Sequence, residues 1–377
     1  MRAGPRIGLL AGEASGDALG AALQRALRAR HPDASFVGVG GAAMRAEGLQ
    51  AFHGSEALAV NGLVDPLRRL PTFWRLLRGL ERDLGAARLD AFVGIDFNVF
   101  NLLLERRLRR LGLPVAHFVS PSVYAWRAGR VRTVAASADR LLTLFPFEAP
   151  YYDGTGLEVV HVGHPLADEL RPTADRAALR RRLGLDASAG PLLALLPGSR
   201  ASEIALHAAP FVAAARRLAA RLPGLEAVVA VLDEEAERGL RRSACGAVRC
   251  IRGRTREVLA AADLALVKAG TGTLEAMLVG TPMVVAYRLG SVTHALLERL
   301  VHAPHFALPN LLAGRALVPE LIQDAMTPDA LAAALAEVHG AAHVQRAAFA
   351  ELAATLCRGA AARAADAVLE LAGRRPS

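Results

Sequence analysis

The sequence predicts an α/β chain of two Rossmann-like, doubly wound halves that face each other across a central cleft, followed by a helical C-terminal tail. Three observations carry that prediction. The chain has 377 residues, too many for one ordinary domain and enough for two that each close a core. Short apolar runs alternate with amphipathic helical stretches twice over, the pattern of parallel βαβ units. From about Pro328 to Gly373 the chain is Ala-rich, helical in spacing and without a strand candidate. The halves are therefore placed at residues 1–165 and 166–340, with a tail at 341–377 expected to pack back toward the first half.

In order, the first half reads as strand Arg6–Ala11, helix Asp17–Arg30, strand Ser35–Val39, a helical region, strand Ala91–Ile95 and helix Leu102–Leu111. Strands Val115–Val119, Arg140–Leu144 and Glu158–Val162 follow, and His164-Pro165-Leu166 breaks the series. The second half opens with helix Asp175–Leu183, strand Leu192–Leu196, helix Glu203–Leu222 and strands Ala227–Leu232 and Arg249–Arg252. It closes with helix Thr255–Ala261 and strands Leu264–Val267 and Met283–Tyr287. Ligands of open α/β sheets bind where strand C-terminal ends meet helix N-termini, so the loops at those ends carry the functional reading.

Composition removes several function classes. Hydrophobic residues make up 53% of the chain but aromatics only 5%, a helix-rich globular balance dominated by Ala and Leu. No run approaches the roughly 20 apolar residues of a membrane-crossing helix. Ile7–Ala11, followed by Gly12 and Glu13, is too short and too acidic in its sequel for a secretory signal, so a cytoplasmic location is expected. Cys245, Cys250 and Cys357 form no CxxC pair and suggest neither a zinc site nor a disulfide framework. The net charge is +9, yet every basic side chain other than Lys268 is Arg, which reads as a composition bias. With no zinc finger, no RNA-binding aromatic signature and no dense basic tract, nucleic acid is not an expected partner.

Four loops carry chemistry. Gly12-Glu13-Ala14-Ser15-Gly16-Asp17 joins the first strand to the first helix, and its glycines let backbone N–H groups approach an anionic or hydroxyl-rich ligand. It is neither GxGxxG nor a Walker loop, and a tight turn with Asp17 as a helix cap explains part of it. Asp96 stands at the mouth of an apolar strand, where partial desolvation poises a carboxylate as a general base; the alternative is a helix cap. Leu195–Arg200 with Ser202 and Glu203 sets a glycine turn, a hydroxyl and a guanidinium at a helix start, which suits a diphosphate. Arg200 can equally bridge to Glu203 as a structural cap. Lys268-Ala269-Gly270-Thr271-Gly272-Thr273-Leu274-Glu275 repeats the anion-loop pattern. Two such loops in one half favour a sugar nucleotide, with Glu275 accepting both ribose hydroxyls and Lys268, the only lysine, adding a cation.

These residues, in their order, resemble the lipid-A-disaccharide synthase family. Further matches are Val119–Arg127, Phe145-Pro146-Phe147-Glu148, Val162-Gly163-His164-Pro165 and Leu308–Gly314, so the likeness spans nearly the whole chain. The resemblance implies a GT-B glycosyltransferase that inverts the anomeric carbon and moves 2,3-diacylglucosamine from UDP-2,3-diacylglucosamine to 2,3-diacylglucosamine 1-phosphate (lipid X). It implies a β-1,6 disaccharide and UDP as products, no cofactor and no metal, and a homodimer formed through the second half. Carried onto this chain, it implies Asp96 as catalytic base and Glu13, Ser15, Asp17, Ser120, Ser122 and Asn310 at the substrates. Gly198, Ser199, Arg200, Glu203, Lys268, Gly270, Thr271, Gly272, Thr273 and Glu275 would hold UDP. Three residues depart from the family pattern: Val99 where a second Asp is usual, Ala269 where Ser is frequent, and Tyr124 in place of Trp.

The rival readings are another two-Rossmann enzyme such as a UDP-N-acetylglucosamine 2-epimerase, a nicotinamide oxidoreductase and a non-catalytic sugar-nucleotide sensor. The oxidoreductase is disfavoured because no GxGxxG follows the first strand. Acylated substrates also require access to a bilayer. Val64–Leu84 interleaves Leu67, Leu70, Phe73, Trp74, Leu76, Leu77 and Leu80 with Arg68, Arg69, Arg75, Arg78 and Arg82. So broad an apolar stripe among cations is expected to dock reversibly on the anionic cytoplasmic face of the inner membrane, the alternative being a stripe that covers the sheet.

Overall fold

The computed structural model describes residues 4–54, 66–96, 98–123, 129–186, 190–243, 248–290 and 305–374. The chain divides into two compact units, Met1–Asp168 with Leu356–Ser377, and Glu169–Thr355. Tyr124–Arg127 and Cys245 lie outside the described residues.

The first unit holds a parallel sheet in the order β3-β2-β1-β4-β5-β6-β7. Its strands are β1 Arg6–Ala11, β2 Ser35–Gly40, β3 Leu49–Gly54, β4 Ala91–Ile95, β5 Val115–Phe118, β6 Arg140–Thr143 and β7 Glu158–His161. Helices α1 Ala14–Arg30, α2 Ala42–Ala46, α3 Pro66–Ala86, α4 Asn98–Arg110, α5 Arg130–Ser137 and α6 Pro165–Glu169 connect them. From Ile7 onward β1, and the whole of β4, are apolar and buried because both faces are covered, as parallel sheets require. Gly38 in β2 has φ +142°, and a Cβ there would sit 2.0 Å from the Leu9 carbonyl oxygen, so only glycine lets β2 lie against β1. Strand β3 falls in a stretch that the sequence suggests is helical. It is a sheet edge whose Gln50 and His53 hide the apolar pattern.

The C-terminal helix Ala360–Gly373 belongs to this unit. Arg140, fully buried on β6, donates to the Ala367 carbonyl, to Glu370 at 3.2 Å and to Glu158 at 2.5 Å. Arg374 reaches Glu158 at 2.7 Å, and Arg30 on α1 pairs with Asp366. The middle and C-terminal end of this helix are thus tied to β6, β7 and α1 by ion pairs, those to the sheet centred on the buried Arg140.

The second unit holds the sheet β10-β9-β8-β11-β12-β13, again parallel. Its strands are β8 Leu192–Leu196, β9 Glu226–Val231, β10 Arg249–Arg252, β11 Leu264–Lys268, β12 Met283–Tyr287 and β13 Glu320–Ile322. Helices are α7 Arg176–Arg182, α8 Ala201–Ala219, α9 Glu234–Arg242, α10 Thr255–Ala261, α11 Thr271–Leu278, α12 Leu308–Ala313, α13 Pro328–Gly340 and α14 Ala342–Leu356. Ile204, Phe211 and Leu218 of α8 pack with Leu331 and Leu335 of α13 over the strands, forming one core. Strand β13 has three residues, too short for a periodic signal in the sequence.

Helix α3 divides its apolar stripe between the core and the surface. Leu77, Leu80 and Leu84 are buried in the first unit's core, with Phe73 and Leu76 packed on it. Val64 and the side chains of Leu67, Arg68, Arg69 and Leu70 lie outside the described residues. What remains outward is Trp74, 39% exposed, with Arg75, Arg78 and Arg82. The Arg107 guanidinium of α4 sits 5.5 Å from the Trp74 ring centroid.

Between β6 and β7 the Phe-Pro-Phe-Glu motif forms a 3₁₀ turn, Pro146–Tyr152. Buried Glu148 folds back to accept from the Phe145 N–H at 3.0 Å. Burial pushes its carboxyl up to about 8 against that hydrogen bond. The folded state therefore holds a proton that the unfolded chain has lost above about pH 4.5, so Glu148 favours folding at low pH, and that contribution fades as pH rises through 8. Buried His164, pushed down to about 4, changes its own contribution only below pH 6.5. Between pH 6.5 and 8 the wild type should lose about 2 kcal/mol that Glu148→Gln, which keeps the acceptor without the charge, does not lose. Urea unfolding across that window measures the difference, and equal pH slopes would contradict it.

Candidate functional site

In both sheets the strand order reverses beside the first strand, between β1 and β4 and between β8 and β11. Crossovers on opposite faces diverge at such a point and leave a crevice beyond the strand ends. In the second unit that crevice is a cavity of about 800 Å³, lined by Gly198, Ser199, Arg200, Lys268, Gly270, Thr271 and Glu275 among others. Both anion loops read from the sequence therefore open into one space. The cavity has a third side that the sequence reading missed, Gly253-Arg254-Thr255-Arg256 after β10, with the exposed Leu232 at the end of β9. Strand β10 has only partly buried, Arg-flanked residues, so nothing in its pattern marks the following loop as functional.

Glu203 organises the floor of this cavity. Its carboxylate accepts from the Ser199 N–H at 3.0 Å, the Arg200 N–H at 3.3 Å and the Lys268 ammonium at 3.0 Å. Burial pushes the carboxyl up, but Lys268 and the two N–H groups outweigh it and hold the group below its ordinary range. Gly198, at φ +126°, is required because a Cβ would lie 2.6 Å from the Glu203 Cβ. Arg200 approaches Glu203 at 3.4 Å with its side chain 81% exposed, so the structural bridge leaves it reachable by a ligand. Lys268 also lies 5.2 Å from the Tyr287 ring centroid, and Tyr287 stacks on His207. His207 Nε2 accepts from the Arg288 N–H at 3.0 Å, so Nδ1 carries the proton that it gives to the Glu203 carbonyl at 2.7 Å. Burial holds this imidazole below its usual pKa, consistent with the neutral form. Glu203 thus serves within the fold as a capping and ion-pairing group at the cavity wall.

Glu275, one turn into α11, accepts from Arg256 Nε at 2.9 Å. Thr271 is exposed at the helix start and Gly272 half-buried. Thr273 is buried and donates its hydroxyl to the Gly270 carbonyl at 2.8 Å, a bond inside the first turn of α11. Asn310 is also hydrogen-bonded within the fold. Its amide donates to the Val318 carbonyl and Glu320 and accepts from the Leu317 and Val318 N–H groups, all at 2.7–2.9 Å, which uses its full capacity inside the fold.

In the first unit Asp96 follows β4 with φ 52°, a left-handed backbone that Asp tolerates better than most residues. Its N–H donates to the Phe118 carbonyl at 2.8 Å, and its own carbonyl accepts from the buried Asn101 amide at 2.8 Å. That amide also lies within 3.4 Å of the Leu10 and Ile95 carbonyls, clamping the ends of β1 and β4 together. Helix α4 begins at Asn98, so Asp96 precedes its cap position. On the neighbouring strand Val119 has φ 82°, a strained geometry for a β-branched residue. Glu13 and Ser15 are exposed at the start of α1. Asp17 accepts from the Gly41, Ala43 and Met44 N–H groups, so its carboxylate caps α2 rather than α1. Ser120 is buried and bonded to the Tyr152 hydroxyl at 2.9 Å, whereas Ser122 is exposed. Asp17 and Ser120 thus each make internal hydrogen bonds in the fold. Val99, where the family has a second Asp, is 63% exposed.

The profile of the lipid-A-disaccharide synthetases matches residues 7–365. The lipid-A-disaccharide synthase of Pseudomonas aeruginosa strain LESB58 is 48% identical over 379 residues, covering 100% of both chains. That of Alkalilimnicola ehrlichii is 49% identical over 381 residues, 98% of this chain and 99% of the relative. Among solved structures, the glycotransferase of kitacinnamycin superposes with a TM-score of 0.61 at 18% identity, covering 98% of this chain and 100% of that one, a likeness of fold. With two Rossmann-like units and full-length similarity of this degree, the chain belongs to the lipid-A-disaccharide synthase family, glycosyltransferases of lipid A biosynthesis.

Proposed function

We propose that this enzyme transfers 2,3-diacylglucosamine from UDP-2,3-diacylglucosamine to O6 of lipid X with inversion, releasing UDP. The observation that carries the donor assignment is the single cavity into which both anion loops open. The N-terminal turn of α11, with Arg200 and Lys268 lining the same cavity, suits a diphosphate whose charge grows as the sugar bond breaks. Glu275 takes the ribose hydroxyls. Glu203 serves indirectly, by fixing Ser199, Arg200 and Lys268.

On the acceptor side Asp96 removes the proton from the 6-hydroxyl as that oxygen attacks the donor C1, supported by its strand-mouth position and the Asn101 clamp. The exposed Glu13, Ser15 and Ser122 are the acceptor contacts in this reading. Trp74 with Arg75, Arg78 and Arg82 forms the membrane-facing surface, an indole for the interface and guanidinium groups for lipid phosphate. Among the described residues no helix is long and apolar enough to cross a membrane, so docking rests on this patch. Self-association through the second unit completes the partner set, and sedimentation equilibrium measures it.

Asp96→Asn should keep the left-handed backbone and the UDP affinity while turnover falls about 100- to 10,000-fold. Product mass spectrometry with the two acylated substrates checks this, and near-normal turnover would remove Asp96 from the mechanism. Arg200→Ala and Glu275→Ala should each weaken UDP binding by roughly 1.5–3 kcal/mol. Unchanged affinity by calorimetry in both would move the nucleotide elsewhere. For the membrane surface, Trp74→Ser combined with Arg75→Ser and Arg78→Ser avoids the buried leucines, so the protein should stay folded yet cease to sediment with anionic vesicles. Undiminished sedimentation would exclude this patch.

A further inference from the structure

Arg256 is not among the residues that the sequence pattern singles out. It stands in the first turn of α10, on the side of the cavity away from the Gly198–Arg200 loop's own helix, and it reaches across to α11. Its Nε–H donates to Glu275 Oε1 at 2.9 Å. Among the described residues this is the only hydrogen bond of the Glu275 side chain, and it leaves Oε2 without a protein donor. Glu275 is 16% exposed and Arg256 47% exposed, so the pair lies at the cavity wall with the carboxylate inward of the guanidinium. The other neighbour of Arg256 is Glu169 at 3.8 Å, a longer pairing with a side chain 64% exposed.

A glutamate has three side-chain torsions, and one that must receive two vicinal hydroxyls gains from being held in a single rotamer before the ligand arrives. Engaging Oε1 through Nε does that while the second oxygen keeps its lone pairs. We infer that Arg256 is a positioning residue for nucleotide recognition: it fixes the Glu275 carboxylate so that the ribose, and specifically its 2′-hydroxyl, is read. This rests on the assignment of Glu275 to the ribose. It differs from a direct role of Arg256 on the diphosphate, which would be blind to the sugar hydroxyls, and from a purely structural tie between α10 and α11, which would change stability and leave recognition alone.

The ratio of 2′-deoxy-UDP to UDP dissociation constants separates these roles, measured by calorimetry on the full-length chain. The wild type should prefer UDP about tenfold or more, the worth of one hydrogen bond to a charged acceptor. Glu275→Gln should lose most of that preference; if it keeps it, the ribose assignment falls and the inference with it. Given that loss, Arg256→Gln should also bring the ratio close to one, mainly by weakening UDP, and Arg256→Gln/Glu275→Gln should be no worse than Glu275→Gln alone. A ratio that stays at the wild-type value in Arg256→Gln overturns the inference. An equal loss of affinity for both nucleotides, with the ratio kept, overturns it in favour of a direct anion contact. Arg256→Met, which retains the apolar stem, is the second variant should Arg256→Gln not fold, and is judged by the same ratio.

Discussion

Strands buried on both faces of a parallel sheet spend their backbone groups on their neighbours and their side chains on the core. Polar chemistry is left to the strand ends, and of those only the point of order reversal opens into a crevice. This chain meets that constraint twice. Gly12 and Asp96 follow β1 and β4, and Gly198 and Lys268 stand at the ends of β8 and β11. The positions of the proposed base and of the proposed diphosphate loops are consequences of strand order before they are consequences of any side chain.

Around the second of these points, much of the polar machinery holds other polar groups. Glu203 gathers two backbone N–H groups and an ammonium, His207 links the α8 start to the end of β12, and Arg256 holds Glu275. A partly buried carboxylate with three donors is compensated for its desolvation, and in return it rigidifies the loop to which it is bonded. Arg200, Thr271 and the open side of Glu275 remain for a ligand. The cavity is therefore preorganised: the groups that would otherwise have to be ordered on binding are ordered in the fold.

The first unit achieves the same end with backbone strain. Asp96 and Val119 lie on adjacent strands with positive φ, each worth on the order of 1–3 kcal/mol. The buried Asn101 amide, bonded to three carbonyl oxygens at the ends of β1 and β4, helps keep that geometry. One turn further along α4, Glu105 pairs with His117 of β5 at 2.7 Å, both fully buried, and burial raises the Glu105 carboxyl despite its partner. Asn101 and Glu105 thus join α4 to the strands beneath it, so that the helix following Asp96 is fixed by polar contacts as well as by Phe100 and Leu104.

Local pattern by itself made legible most of the strands, the twofold repeat of the α/β alternation and the helical character of the C-terminal stretch, because periodicity and glycine turns act over a few residues. It also singled out the loops at which the proposed chemistry is placed, since a glycine turn with hydroxyl, cation and carboxylate is legible from neighbours in sequence. It missed β3 and β13, one masked by polar edge residues and one too short to show a period. Only the tertiary structure decided which polar residues are spent internally. Nothing adjacent to Asn310, Thr273, Asp17 or Ser120 reveals that their partners are Val318, Gly270, Gly41 and Tyr152. The inward turn of Leu77 and Leu80 and the pairing of Arg256 with Glu275 were decided there too. Hydrogen bonding and burial depend on residues brought together by folding, and a linear pattern records only the chemistry a side chain offers, not the partner it finds.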